Sequence, residues 1–210
     1  MITDFDAIVI GSGISGGWAA KELTEKGLKT LLLDRGRPVR HQHDYPTENK
    51  GAFDLPYRGH WPPNEKSKDR FTHNATVTSP TNYHFFNDDR KNPYINNIDK
   101  PFNWIRSDIF GGRSILWGRQ CYRWSDIDFG ANKKDGYGID WPIRYKDIAP
   151  WYSYVEEFVG VSGEKLNLMQ LPDGEFLPAM PLNIAEKHFK KHIEKCFFRK
   201  FCVSIENIIY

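Results

Sequence analysis

The hexapeptide Gly11-Ser12-Gly13-Ile14-Ser15-Gly16 constrains this chain more than any other stretch, because of what stands on either side of it. Before it, the apolar run Ala7-Ile8-Val9-Ile10 reads as a buried strand. After it, Ile14 to Lys26 turns helical, with Ala19, Ala20 and Leu23 forming an apolar stripe at spacings of three and four. Gly27 ends that helix as a C-terminal glycine does. A second apolar run, Leu31-Leu32-Leu33, then stops at Asp34. The whole is a βαβ unit with its punctuation in place, and the fold class it predicts is α/β, with a Rossmann-like dinucleotide-binding domain.

Each residue type in the G-x-G-x-x-G spacing has a physical task. Gly11 allows the tight turn out of the strand, and Gly13, lacking a Cβ, lets the backbone approach a pyrophosphate closely. Gly16 lets the helix pack on the strand, while the helix N-terminus offers free N–H groups and a positive dipole end to phosphates. Asp34 follows Gly13 by 21 residues, where a carboxylate accepts from a ribose hydroxyl. The predicted ligand is an adenine dinucleotide. Asp34 would repel a 2′-phosphorylated one, although Arg35 directly after it speaks the other way. FAD and NAD both remain open here; the ending Leu33-Asp34-Arg35-Gly36 resembles flavoproteins and favours FAD.

Composition excludes several classes. The 210 residues suffice to bury a core, with 40% hydrophobic and 15% aromatic residues. A net charge of +2, with Lys and Arg scattered, gives no basic stripe, and no nucleic-acid partner is expected. No run reaches the apolar length of a membrane span. The strand begins almost at Met1, leaving no visible leader, so a cytoplasmic location is the default expectation. The periplasmic face becomes the alternative if the chain is exported with a partner. Cys121, Cys196 and Cys202 are odd in number and lack a C-x-x-C, so neither disulfides nor zinc are expected. His41 and His43 have no nearby Cys or carboxylate set, and no metal site is predicted.

Beyond the βαβ unit (1–36), residues 37–103 are dense in Pro, Asn, Asp, His and aromatics and keep no period. So many aromatics argue against a disordered linker, and an ordered excursion across a larger body is expected. Trp61 to Phe71, with interleaved Lys and Arg, reads as packing, and Asn74-Ala75-Thr76 is a glycosylation sequon by letter only. In 104–139, Gly111-Gly112-Arg113-Ser114 lets the backbone pass a flat ligand closely, with Ile115-Leu116-Trp117-Gly118 returning to apolar character. A simple loop-to-helix turn is the equal alternative. In 140–195, a packing helix is expected from Pro150 to Val159, with Trp151, Tyr154, Val155 and Phe158 on one face. Asn183 to Lys195 gives a second amphipathic helix, and 196–210 forms an atypical tail.

Taken together, FDAIVIGSGISGG with LLLDRG, FGGRSILWGRQCYRWSDIDF and DWPIRYKDIAPWYSYVEEFVGVSG resemble the glucose–methanol–choline (GMC) flavoprotein oxidoreductases. The look is towards the bacterial gluconate and fructose dehydrogenase large subunits, with pyranose oxidases as relatives. The resemblance spans about Asp4 to Ile193. It implies an FAD-binding domain, here incomplete, with the start of a substrate domain. It implies hydride transfer from the CH–OH group of an alcohol, sugar or aldonic acid to the flavin.

Carried over by position, Gly11, Gly13 and Gly16 bind the pyrophosphate and Asp34 the ribose, with Arg35 beside it. Gly111, Gly112 and Ser114 lie along the FAD, with Trp117 and Gly118 next to it. Two departures stand out. Many members have Asn where Trp117 stands, and the histidine that attaches FAD covalently in pyranose oxidases would align with Leu116, so the flavin is expected to be non-covalent. The family's catalytic His has no counterpart here, and none of the seven histidines replaces it. The expectation is therefore a truncated or frame-shifted product, inactive alone and poorly soluble. In the full-length enzyme an electron-transfer subunit such as a cytochrome would be a partner. The alternatives are an NAD-dependent dehydrogenase fragment and a non-catalytic dinucleotide-binding fragment that needs a partner chain.

Overall fold

A computed structural model of the chain describes residues 4–66, 78–102, 104–197 and 208–209. Phe71, the sequon at Asn74, Cys202 and most of the 196–210 tail lie outside the described residues. Two compact units divide the chain, 1–117 and 118–210.

The first unit is built on the predicted βαβ. β1 (Ala7–Ile10) pairs in parallel with β2 (Thr30–Leu33), Ala7 opposite Thr30 and Ile10 opposite Leu33. Between them runs α1 (Ile14–Glu25), closed where Gly27 takes a φ of 83° and its N–H reaches the Thr24 carbonyl. Along β1 the side chains alternate, as a strand's period of two requires. Val9 faces α1, its Cγ1 3.4 Å from where a Cβ on Gly16 would stand. Ile8 and Ile10 point the other way and are 61% and 86% exposed, with Leu33 beside them at 47%. A doubly wound sheet carries helices on both faces, and among the described residues one face of this one is bare. On α1 itself, Ala20 and Leu23 are half-buried and Ala19 is exposed.

Among the described residues the excursion after β2 holds no long element, and aromatic contacts and its return path hold these residues together. Tyr45 stacks on Phe85 at 5.1 Å, and His84 Nε2 bonds the Asp44 carbonyl at 2.8 Å. Among the described residues of this unit, Phe85 and Ile109 are buried apolar side chains. Arg37 and Ile109 form a parallel bridge, with Arg37 N–H donating to the Asp108 carbonyl (3.2 Å) and Phe110 N–H to the Arg37 carbonyl (3.0 Å). The chain thus leaves β2, makes its long detour, and lies back down beside the residues that follow β2.

In the second unit, α2 (Asp126–Phe129) and α3 (Ala131–Asp135) precede α4 (Tyr145–Val159). A small sheet follows, in which β3 (Val161–Gly163) pairs in parallel with β4 (Leu177–Pro178) and antiparallel with β5 (Ile208–Ile209). α5 spans Ile184–Phe197, where the sequence predicted a helix, and Asn183 Oδ1 caps it by accepting from Glu186 N–H at 2.9 Å. The expected start of α4 is corrected. It begins at Tyr145, five residues before Pro150, because Asp147 accepts from the Arg144 N–H (2.8 Å) and starts the helix there. Pro150 therefore sits inside the helix, beyond the first turn.

Along the apolar stripe of α4, Trp151 is 65% exposed and Phe158 59%. What α4 buries is Glu156, in a two-pronged ion pair with Arg123 (Nε to Oε1 2.8 Å, Nη2 to Oε2 2.5 Å). Tyr145 and Ser153 hydroxyls accept from the same guanidinium, and Glu175 N–H donates to Glu156. No helix among the described residues is long and apolar enough to cross a membrane.

Candidate dinucleotide site

Gly11 leaves β1 with a φ of 92°, a left-handed turn that a side chain would strain. Gly16 is required by space: a Cβ there would stand 1.8 Å from the Gly11 carbonyl oxygen. With these two glycines the chain turns straight from strand into helix, and the N–H groups of the first turn of α1 have no partner within the helix.

Ser12, between the glycines, ties the site together. Its N–H and its hydroxyl both donate to Asp34 Oδ2, at 2.7 and 2.5 Å. Its oxygen in turn accepts from the Gly111 N–H at 2.8 Å. Asp34 Oδ1 accepts from Gly36 N–H at 2.6 Å. The Ser12 hydroxyl, then the Ser12 and Gly36 N–H groups, hold the Asp34 carboxyl below its ordinary range.

The second glycine pair lies against the first. A Cβ on Gly112 would stand 3.8 Å from Gly13 Cα, and one on Gly13 would stand 4.0 Å from the Gly111 carbonyl oxygen. Gly111, with a φ of 84°, opens a short 3-10 turn over Gly112–Ile115. The Ser114 hydroxyl donates back to the Gly111 carbonyl at 2.6 Å, so it serves its own turn. A cleft of about 490 Å³ opens beside these loops, with Ile10, Leu33 and Ile109 as apolar wall and Asp34, Arg35 and Asp108 as polar wall.

Of the residues predicted from sequence, Gly11, Gly13, Gly16, Asp34, Gly111, Gly112 and Ser114 therefore meet around one loop, and Arg35 lines the cleft. Trp117 is half-buried, its N–H bonded to the Arg113 carbonyl at 3.2 Å. Gly118 is exposed and belongs to the other compact unit.

Sequence reasoning missed three participants. Ser12 carried a signal, since a hydroxyl between two fingerprint glycines sits within reach of the strand-end acid. Asp108 carried none: its partner Arg35 is 73 residues away. Asn87, which donates to Asp108 Oδ2 (2.8 Å) and accepts the Asp108 N–H (2.9 Å), was equally silent. Among the described residues no three His, Cys, Asp or Glu side chains gather as metal ligands would.

Residues 9–73 match the family model of an NAD(P)-binding Rossmann-like domain. Along 84% of its length the chain is 28% identical to the fructose dehydrogenase large subunit of Gluconobacter japonicus, covering 29% of that protein. It is 26% identical to 2-methyl-1,2-propanediol dehydrogenase of Mycolicibacterium austroafricanum, over 75% of this chain and 25% of the relative. It is 29% identical to the oxygen-dependent choline dehydrogenase of Pseudomonas aeruginosa (strain LESB58), over 74% of this chain and 23% of the relative. The chain spans less than a third of the length of each of these relatives. Across most of its own length the chain is similar to these dehydrogenases, and its residues 9–73 match a Rossmann-like dinucleotide-binding domain.

Proposed function

We propose that this chain binds FAD non-covalently in the cleft beside Gly11–Gly16, as the dinucleotide-binding part of an oxidoreductase acting on CH–OH groups. The observation that carries the reading is the Ser12 hydroxyl, which draws Asp34 and Gly111 to one point. Both glycine pairs thereby border one cradle, in which added Cβ atoms at Gly16 would collide with backbone. The residues present fit an adenine dinucleotide.

In this reading the first-turn N–H groups of α1 and the bare Cα atoms of Gly11 and Gly13 receive the pyrophosphate. Asp34 receives the adenosine ribose: Oδ2 already takes two bonds from Ser12, but Oδ1 takes one and keeps an open acceptor position. Ile10, Leu33 and Ile109 offer apolar contact to the adenine ring. Gly111 and Gly112 border the cofactor where backbone must pass close to it, with Ser114 fixing their turn, and Arg35 and Trp117 are the remaining contacts. Leu116 cannot form a covalent flavin bond, which supports dissociable attachment. Bound flavin supplies a two-electron hydride acceptor. The fructose, diol and choline dehydrogenase names of the relatives support an alcohol or sugar as donor, and the name "large subunit" supports an electron-transfer partner.

The test is an absorption spectrum from 300 to 550 nm of the chain mixed with FAD and desalted, beside the same measurement on Gly13→Val. Retained flavin bands near one per chain, released by acid and missing in the variant, are expected. A folded, colourless chain that binds NAD instead would overturn the reading.

A further inference from the structure

We infer that Asp108 is a second determinant of which dinucleotide the cleft accepts, because it engages the cation that lines the polar wall among the described residues and adds its own negative charge beside Asp34. The inference rests on the reading of this cleft as an adenine-dinucleotide site. A ligand bearing a 2′-phosphate would place that group near Asp34, and it would need a cation there. Arg35 is the cation that lines the cleft. Its Nε and Nη2 both donate to Asp108 Oδ1, at 3.1 and 2.6 Å.

Asp108 is not free to swing away. Asn87 holds its carboxylate and its N–H at once, and its carbonyl accepts from Arg37 N–H. Arg35 is the loose partner, 72% exposed along its side chain. An exposed ion pair alone is worth little, so Arg35 could turn towards a ligand. The carboxylate it left behind would then keep the Asn87 amide and the charge of Arg106 but lose its ion pair, beside a second carboxylate at Asp34. Two acids against one guanidinium leave the polar wall with a net negative charge, which suits a ribose 2′-hydroxyl and opposes a 2′-phosphate.

The probes are 5′-AMP and adenosine 2′,5′-bisphosphate, which differ only in the 2′-phosphate, titrated calorimetrically into the full chain. Asp108→Asn keeps the shape and the Asn87 contact and releases Arg35 from its counter-charge. It is expected to improve bisphosphate binding relative to 5′-AMP by about tenfold, as removal of one unit charge a few ångströms away implies. Asp108→Asn combined with Arg35→Ala is expected to lose that gain. Arg35→Ala alone strips the guanidinium from beside both carboxylates and is expected to lower the ratio. An unchanged ratio in Asp108→Asn overturns the inference, as does a gain that survives removal of Arg35. So does an Arg35→Ala ratio equal to or above that of the wild type, since the guanidinium would then do nothing for a 2′-phosphate. If the folded wild-type chain binds neither nucleotide nor FAD, the dinucleotide reading itself falls, and this inference with it.

Discussion

Gly36→Ala is the sharpest probe of how the long excursion closes the site. Gly36 does not have a positive φ, so its lack of a side chain is a matter of space and not of backbone conformation. A Cβ there would stand 2.6 to 2.7 Å from the N, Cα and C atoms of Ile109, whereas ordinary contact starts near 3.4 Å. Those are main-chain atoms, so no rotamer change relieves the clash, and the Ile109 segment must retreat by about 0.8 Å.

The two bonds of the Arg37–Ile109 bridge, at 3.2 and 3.0 Å, would stretch to about 4.0 and 3.8 Å, past useful hydrogen-bond length. Each lost bond costs about 0.5–1.5 kcal/mol, and the residual crowding adds about 1–3 kcal/mol. Restricting the unfolded chain returns about 0.4–1 kcal/mol. A net loss of about 2–4 kcal/mol follows. The control is Gly17→Ala in α1, where a Cβ would stand 3.9 Å from the Ser12 carbonyl oxygen. Helix propensity there predicts a gain of about 0.5–1 kcal/mol. Urea titration gives the stabilities, and amide exchange at Phe110 reports whether the bridge itself opens. Equal midpoints for Gly36→Ala and wild type, with Phe110 still protected, would refute the steric argument.

Four further outcomes are expected. Arg123→Met leaves Glu156 buried against little but the Glu175 N–H and should cost about 3–5 kcal/mol, while Arg123→Met with Glu156→Leu should recover most of it in the same urea assay. Because Asp34 is held below the ordinary carboxylate range, its contribution is complete above that range and is lost as pH falls towards its folded value. Wild-type stability should therefore decline from about pH 5 downwards more steeply than that of Asp34→Asn, as urea midpoints would show; parallel declines would sink the idea. Ile10→Lys, at a site 86% exposed, should change stability by no more than about 0.5 kcal/mol yet reduce concentration-dependent light scattering. Ser12→Ala removes the hydroxyl shared by Asp34 and Gly111 and should weaken FAD retention on desalting, with Ser12→Thr retaining more of it.

The βαβ unit was legible because every boundary in it is local. Strand, turn, helix and helix end are written in neighbouring residues, and Gly11, Gly16 and Gly27 sit where backbone geometry demands glycine. The return of Asp108–Phe110 to Arg37 was not legible, since pairing between segments more than seventy residues apart leaves no period in either. The start of α4 was misplaced because a proline suits a helix's first position, and the Asp147 cap that starts the helix earlier was overlooked. Its apolar stripe was correctly seen as one face. Periodicity tells which side chains share a side but is silent on how far they are covered, and Trp151 stays 65% exposed.

The Ser12 hydroxyl also sets a schedule for the growing chain. Its bond to Asp34 closes a loop of 22 residues, and its bond to Gly111 one of 99. The wider closure costs on the order of 1 kcal/mol more in chain entropy, which is modest, but its timing is another matter. On the ribosome the βαβ unit is complete once Gly36 emerges, and Gly111 follows several seconds later at about 5–20 residues per second. Through that interval Asp34 has Ser12 but the cleft has no far wall, and the bare strands have only a single helix over them. A nascent chain stalled between those two points would present the fingerprint without the pocket, and a dinucleotide could begin to guide its folding only after the second glycine pair arrives.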